Sequence, residues 1–362
     1  MFLAWNEIKH SKMRFLLIIG VMVLVSYLVF FLTGLAYGLA QANRTSVDKW
    51  QADGIVLTDE SNSNINMSMI PLKTAEEIEA AETAVLGQTG AVVRKEGTTG
   101  DDAKINVTIF GIRSDEFLMP ELIEGEEFQK NDEVIADKSL QDDGIEIGDV
   151  LQLAGMDQKV TVTGFTEGAM FNVAPVLYTT VEGFQEIRFG EADDSENGRI
   201  SAVVLKTGES SLDETDLGND DLRIYSIKDY ISKIPGYNAQ VLTFGLMIGF
   251  LIVIAAVVIG IFIYVLTIQK SSMFGVMKAQ GISSGYIATS VVAQTFLLAT
   301  VGTAVGLLFT MGTALVLPSA VPYRTNVLFL SVISGLLILF AVLGGLFSVR
   351  AVVKIDPLDA MG

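Results

Sequence analysis

Side chains that commonly carry chemistry are scarce in this chain. It has 362 residues, no cysteine and a single histidine, His10. Nucleophilic triads and metal sites built on histidine or thiolate therefore lack their base or their ligands. The sequence also contains no GxxxxGK[ST] phosphate loop, no GxSxG and no HExxH motif. We expect no catalytic site, no metal and no intrinsic cofactor, so the chain is predicted not to be an enzyme.

One segment does have the pattern of a binding element. Residues 270–281 read KSSMFGVMKAQG. On a helix, Met273, Phe274 and Met277 share one face, and Lys270 and Lys278 lie beside it. Such a helix either rests on lipid headgroups or inserts into a groove on a partner protein. The residues alone leave both alternatives open.

Membrane-spanning helices are the elements that must position this segment. Half of the residues are hydrophobic and the mean hydropathy is +0.48, yet the net charge is −18. Residues 40–240 hold 39 of the 42 acidic and 16 of the 24 basic residues, which is a net charge of −23. The apolar remainder of the chain, residues 1–39 and 241–362, has a net charge of +5. This segregation excludes a single soluble domain, a disordered chain and a nucleic-acid-binding protein. It predicts a protein in the lipid bilayer with one large acidic domain.

Four uncharged apolar stretches are long enough to cross a bilayer, which takes about 20 residues of helix. They are residues 15–40, 241–268, 286–317 and 327–349. The alternative for the first stretch is a cleaved signal peptide, but the apolar core of a signal peptide has only about 7–15 residues. We therefore interpret it as a helix. Because no span contains a charged residue, a channel, a pump or a secondary transporter is disfavoured.

Basic residues near the spans predict the orientation of the chain. Lys9, Lys12 and Arg14 precede the first span, and Lys270 and Lys278 lie between the second and the third. Both termini are therefore expected in the cytoplasm. The segments outside the spans are predicted as a cytoplasmic N-terminal segment 1–14, an extracytoplasmic domain 41–240, a cytoplasmic coupling helix 269–285, an external loop 318–326 and a cytoplasmic tail 350–362.

Residues 41–240 have the pattern of a mixed α/β domain. Thr74-Ala75-Glu76-Glu77 is a capping box, which predicts a helix that reaches about Val85. Runs of β-branched and apolar residues predict strands at 55–58, 105–112, 150–153, 160–165, 176–179, 202–206 and 222–225. The fold class is therefore an α-helical membrane protein with four transmembrane helices and a mixed α/β domain inserted between the first two.

Pairs of glycines four residues apart occur in two of the spans. Gly34 and Gly38 lie in the first span, and Gly302 and Gly306 lie in the third. Small residues at this spacing let helix backbones approach closely in lipid. We expect both pairs to mark faces where helices pack.

The order of the elements resembles the four-span FtsX/MacB-type permeases of ABC transporters, which have one helix, a large external domain and three further helices. Residues 270–281 are similar to the coupling segment of that family, and DPLDAM at 356–361 looks like its C-terminal tail. The external domain is similar to the MacB-like core in the order of four motifs, which are Gly125-x-x-Phe128, Val134-Ile135-Ala136, Gly148-Asp149 and VTVTGF at 160–165.

This resemblance implies a homodimer bound to two copies of an ABC ATPase subunit. The ATPase would hold ATP and Mg, and its closure would move the permease by mechanotransmission. The implied ATPase-coupling residues all lie in the coupling helix and are Lys270, Met273, Phe274, Gly275, Met277, Lys278 and Gly281.

Finer details are similar to the Hrt-type haem-efflux permeases of Gram-positive bacteria. These details are GLAYGL at 34–39, TIQK at 267–270 and the ending from Ile355 to Gly362. They imply haem as the transported substrate, in the cell membrane of a Gram-positive bacterium. Haem needs apolar walls, an iron ligand such as Tyr or Met, and a cation for its propionates. The candidate haem-binding residues are Tyr27, Phe30, Phe31, Tyr37, Arg44, Tyr237, Phe244 and Met247.

Two other functions fit the same machine. In the first, the cargo is a lipid, a lipoprotein or an antimicrobial peptide, since an acidic external domain attracts cationic peptides. In the second, the ATPase stroke activates an external cell-wall hydrolase and nothing is transported. The candidate docking loop for such a hydrolase runs from Ser61 to Pro71 and contains Met67 and Met69.

Overall fold

The computed structural model describes residues 12–208, 211–318 and 321–354. The chain divides into two compact units. We call them the helical unit, which holds the chain up to Gly38 and from Val241 onward, and the sheet unit, from Leu39 to Gln240. His10 and the DPLDAM motif of the predicted tail lie outside the described residues.

Helices account for the first unit and a minor part of the second. In chain order they are α1 (Lys12–Ala42), α2 (Thr45–Lys49), α3 (Leu72–Glu76), α4 (Ser139–Asp142), α5 (Val181–Phe189), α6 (Ile227–Lys233), α7 (Tyr237–Gln269), α8 (Ser271–Ala279), α9 (Ser284–Ala314) and α10 (Val327–Lys354). Four of them, α1, α7, α9 and α10, are long and apolar enough to cross a membrane. This agrees with the four predicted spans.

The helical unit has two buried clusters of side chains. In one, Phe15 and Met22 of α1 pack with Ile259 of α7 and Leu298 of α9. In the other, Val29 and Phe30 of α1 pack with Ile252 of α7 and Leu337 of α10. Helix α1 therefore contributes to both clusters.

Strands dominate the sheet unit, as the period-two pattern predicts. They are β1 (Gly54–Thr58), β2 (Ile70–Pro71), β3 (Glu82–Lys95), β4 (Ile105–Ile112), β5 (Leu122–Gly125), β6 (Glu133–Asp137), β7 (Val150–Leu153), β8 (Lys159–Thr166), β9 (Met170–Phe171), β10 (Ala174–Thr180), β11 (Arg199–Ile200), β12 (Ala202–Lys206) and β13 (Leu222–Ser226). The mixed α/β class predicted for this part of the chain is confirmed.

One mixed sheet runs through the unit in the order β13-β1-β12-β3-β4-β10-β6-β8-β5. Strand β10 is parallel to β4, β6 is parallel to β8, and the other neighbours along this order are antiparallel. One core contains Trp50, Phe110 and Tyr178, and another contains Ile109 and Phe184. Phe110 and Ile109 are adjacent, so the two cores lie on opposite faces of the sheet.

The predicted helix from Thr74 to Val85 is wrong. Helix α3 already ends at Glu76, Pro71 stands at its N-cap, and Val85 lies within β3. The reason is tertiary pairing, because residues 82–86 at the start of β3 pair with β12. Gly87 and Gly90, further along this stretch, also have low helix propensity.

Candidate functional site

Helices α1 and α9 approach each other closely at the second glycine pair. A methyl group at Gly306 would lie 2.7 Å from Cβ of Ser26, and one at Gly302 would overlap Met22. Near the same contact, the hydroxyl groups of Tyr27 and Thr313 are 3.2 Å apart, within hydrogen-bond distance. Small residues thus let α1 pack directly on the backbone of α9.

The first glycine pair meets a loop. A Cβ at Gly34 would overlap the ring of Tyr323, and one at Gly38 would overlap the carbonyl oxygen of Pro322. The N–H of Arg324 donates a hydrogen bond of 3.2 Å to the carbonyl oxygen of Gly34. Within this chain, the two glycines therefore let the segment that precedes α10 lie against α1.

This loop contact builds a series of aromatic rings on α1. The ring of Phe31 stacks between Tyr27 and Tyr323, with centroid distances of 6.1 Å and 5.8 Å. Further along, the ring of Tyr37 lies 5.6 Å from Phe329. All five residues except Phe329 are half-buried, and Phe329 is exposed. The arrangement is a partly open aromatic surface that suits a flat apolar molecule.

The other candidate haem-binding residues have different surroundings. Phe30 is fully buried among Val29, Ile252 and Leu337. It points into the bundle because it lies one position from Phe31 on the helix, about 100° around the axis, so it is not part of the open aromatic surface. Within the helical unit, Phe244 is half-buried and Met247 is exposed.

Two candidates belong to the sheet unit. Nε of Arg44 forms an ion pair of 3.0 Å with Asp48, so its charge is already partnered. Tyr237 packs against the core that contains Tyr230 and Ile234. The candidate docking loop for a hydrolase, Ser61 to Pro71, is also here, and it exposes Met67 and Met69 while burying Ile65.

The coupling helix has a well-defined C-terminal cap. Gly281, at φ +89°, donates its N–H to the carbonyl of Lys278 (2.9 Å), and the N–H of Ile282 donates to the carbonyl of Met277 (3.0 Å). These are the two bonds of a Schellman motif, which needs the left-handed conformation that glycine adopts without strain. Next, the hydroxyl of Ser283 caps α9 by accepting the N–H of Tyr286. The glycine of this segment therefore sets the turn between α8 and α9.

The orientation of α8 differs from the sequence prediction. Phe274 is only 3% exposed and packs with Phe15 and Ile287, and Met277 packs against the same cluster. The exposed face carries Met273 and Val276. Phe274 is therefore not available to dock in a partner, because its face of the helix completes the core of the bundle.

Sequence reasoning missed several residues of these contacts. Tyr323 and Phe329 reach the aromatic series from a loop and from the start of α10, far from α1 in the chain. A second close approach joins α7 to α10, where a methyl group at Gly260 would lie 2.9 Å from the carbonyl oxygen of Gly344. The available signal was small residues on both helices, Ala256 and Gly260 of α7 opposite Gly344 of α10.

Four helices long enough to span a membrane, a short capped helix between the second and third, and an inserted sheet unit are the architecture of a multi-pass membrane protein. Residues 245–357 match the family described as FtsX-like permease C-terminal. Residues 245–357 of the chain thus carry an FtsX-like permease domain.

Relatives match over almost the full length. The chain is 24% identical over 369 residues to a protein of Staphylococcus haemolyticus named as hemin transport system permease HrtB, covering 99% of each chain. It is also 25% identical over 371 residues to an uncharacterized ABC transporter permease of Mycobacterium tuberculosis, covering 100% of this chain and 99% of the other.

Solved structures give a looser match. The periplasmic region of MacB from Actinobacillus actinomycetemcomitans is 11% identical with a TM-score of 0.36, covering 49% of this chain and 90% of that one. The extracellular domain of the ABC-type transporter YknZ is 15% identical with a TM-score of 0.29, covering 52% and 95%.

Proposed function

We propose that this protein is the permease subunit of an ABC exporter that expels haem from the plasma membrane. The observation that carries this proposal is the alignment with the staphylococcal proteins named as hemin transport permeases, which extends over 99% of both chains. If the two proteins shared only one domain, the alignment would cover only part of each chain. Similarity over the full length favours a shared machine and a shared class of cargo.

The aromatic series on α1 is the proposed haem surface. Tyr27, Phe31 and Tyr323 supply stacked rings, and a tyrosine oxygen is a known type of haem-iron ligand. The ten residues from Tyr27 to Tyr37 correspond to about 15 Å of helix, a length that suits one flat ligand. Phe30 is left out of this proposal because it is fully buried.

A cation for the haem propionates is proposed at Arg324. This residue is exposed and directly follows Tyr323 in the chain. Its backbone N–H donates a hydrogen bond to the carbonyl oxygen of Gly34, so the loop that contains Arg324 is fixed against α1. Arg44, the candidate from sequence, is already paired with Asp48. A guanidinium group binds a carboxylate by two parallel hydrogen bonds, which is the geometry that a propionate requires.

The exposed face of α8 is the proposed contact with the ATPase. Met273 and Val276 are apolar and lie one helical turn apart on this face. An amphipathic helix that presents such a face recognises a groove on its partner. Lys270 and Lys278 flank the helix, as in the sequence-based prediction. We propose that two ATPase copies bind a homodimer of the permease in this way.

The proposed orientation follows the basic residues. It places α8 and both termini in the cytoplasm and the sheet unit outside the cell. Where the chain enters and leaves the sheet unit, Nδ2 of Asn43 donates a hydrogen bond of 2.9 Å to Oε1 of Gln240. This bond ties together the two ends through which movement of α1 and α7 would reach the external domain in the proposed mechanotransmission.

Titration of haemin into the purified permease tests the proposed cargo. We expect a saturable Soret shift that is weakened by Tyr27→Phe or Tyr323→Phe, because each change removes a phenol oxygen and keeps the ring. Tyr286→Phe, an exposed tyrosine at the start of α9, is the matched control. A saturable shift that is the same in all three variants would refute the site, and the absence of any saturable shift would refute the cargo.

A further inference from the structure

The sheet has a gap along one edge of β3. On this edge β12 pairs with residues 82–86 and β7 pairs with residues 93–95. No strand of the described chain pairs with residues 87–92 on this edge, while their other edge pairs with β4. A stretch of strand in the middle of the sheet is thus open to an additional strand.

The peptide groups of Gly90 point into this gap. In an antiparallel pair, alternate residues turn their N–H and C=O groups toward the same edge. The carbonyl of Leu86 accepts the N–H of Ser201, the N–H of Gln88 donates to the hydroxyl of Ser201, and the carbonyl of Val92 accepts the N–H of Ala154. Gly90 has the same parity, so its N–H and C=O face the gap, where no described residue bonds to them.

A cation stands at one end of the gap. Arg188 donates hydrogen bonds to the carbonyl oxygens of Gln88 (3.4 Å) and Asn66 (2.6 Å) and to the hydroxyl of Thr89 (3.3 Å). All three acceptors are neutral, and none of the ion pairs among the described residues includes Arg188. Burial lowers the pKa of the guanidinium from its ordinary value. A half-buried charge without a counter-ion favours an incoming anion.

The gap opens into a groove of about 670 Å³. Its lining mixes polar residues such as Thr89 and Asn172 with apolar residues such as Val92, and it includes Gly90 and Arg188. This volume lies within the range of about 300–1,000 Å³ that is typical of small-ligand sites. The groove therefore combines a mixed polar and apolar lining, one free peptide donor–acceptor pair and one cation that has hydrogen bonds to neutral groups but no carboxylate partner.

We propose that this groove binds a short extended peptide by adding it as a strand beside Gly90, with its free C-terminal carboxylate on Arg188. Gln88 and Gly90 are two residues apart on a strand, a separation of about 6.8 Å. A peptide residue bonded to Gly90 would place a carboxylate two positions further on at the level of Arg188. A haem propionate would use the cation but leave the N–H and C=O of Gly90 unpaired. The proposal does not rest on the cargo proposed above.

Equilibrium dialysis of the full-length permease tests this site. The probe is an equimolar mixture of N-acetylated tetrapeptides of Ala, Val, Leu and Thr, made once with a free carboxylate and once as the amide. Mass spectrometry measures retention. We expect the carboxylate series to be retained about tenfold more strongly, the effect of one charge-assisted hydrogen bond. Arg188→Gln should remove this preference, and Gly90→Pro, which removes the N–H that faces the gap, should abolish retention of both series.

The fold tolerates the blocking substitution. Proline is tolerated in a strand where its N–H has no ladder partner, and the N–H of Gly90 faces the gap rather than β4. Gly90→Pro therefore removes the donor and leaves the pairing of β3 with β4 in place. Thr83→Val on the same strand and Arg223→Gln on the surface are the matched controls, expected to leave retention unchanged. Equal retention of acid and amide, or retention that persists in Gly90→Pro, would overturn the proposal. So would haemin binding that is lost in Arg188→Gln, which would assign the cation to a propionate.

Discussion

Replacing the exposed apolar residues of α8 should weaken the ATPase complex without unfolding the permease. The double variant Met273→Asp with Val276→Asp changes two side chains that are 41% and 42% exposed. Surface substitutions of this kind usually change stability by no more than about 0.5 kcal/mol. We therefore expect an intact permease that binds its ATPase poorly.

The size of the effect follows from the exposed fraction of each side chain. Full burial of a Val or Met side chain contributes about 1.5–3 kcal/mol. Since 41% and 42% of these two remain exposed, docking would bury them for about 0.6–1.2 kcal/mol each. Loss of both corresponds to an increase in Kd of about 8- to 60-fold. The introduced carboxylates would add a desolvation cost in any apolar groove.

The assay measures the Kd of the permease in nanodiscs for the ATPase that co-purifies with it, alongside the midpoint of thermal unfolding. Phe274→Ala is the contrasting variant. Because Phe274 is 3% exposed, it should lower the free energy of unfolding by about 3–5 kcal/mol. An unchanged Kd in the double aspartate variant would refute the assignment. So would a Phe274→Ala permease of normal thermal stability that has lost the ATPase.

Three further substitutions test helix packing and backbone conformation, and thermal unfolding of the full chain measures the effect of each. Gly306→Leu should lower the free energy of unfolding by about 1–3 kcal/mol because the new side chain overlaps Ser26. The control Gly312→Leu should have little effect, since nothing lies within 4 Å of its Cβ. Equal unfolding midpoints in the two variants would contradict the α1–α9 contact. Val173→Asn should raise the free energy of unfolding by about 1 kcal/mol, since a β-branched residue is strained at φ +63° and asparagine is tolerated there. A lower unfolding midpoint in this variant would argue against strain at Val173. Gly281→Ala should lower the midpoint by straining the cap at φ +89°, and an unchanged midpoint would argue against the Schellman motif.

Local patterns predicted the elements of the fold whose identity depends on their own residues. The four spans follow from uninterrupted apolar length, and β4, β7 and β12 have the predicted bounds, because alternation and β-branched residues mark them locally. Strand β3 was mistaken for a helix in its first part. The segment TAEEIEAAE at 74–82, which leads up to this strand, favours a helix, and residues 82–85 are in a strand because they pair with β12.

The sites depended on contacts that no local pattern contains. Helix α8 has apolar residues on two faces, and the sequence cannot tell which face the bundle buries; Phe274 is inside only because Phe15 and Ile287 meet it there. Tyr323 joins the aromatic series because a loop near the fourth span returns to Gly34. The gap beside β3 exists because β12 and β7 each pair with only part of that strand, and Arg188 lies at this gap. Each of these facts is a property of distant segments brought together.

ATP-driven removal of haem from a membrane tests the central claim most directly. The permease and its ATPase would be reconstituted in proteoliposomes loaded with haemin, and transfer of haem to external apo-myoglobin would be followed by its Soret absorbance. We predict transfer that requires ATP and is lost in the Met273→Asp, Val276→Asp variant and reduced in Tyr323→Phe. Vigorous ATP hydrolysis with no ATP-dependent transfer of haem would contradict the account.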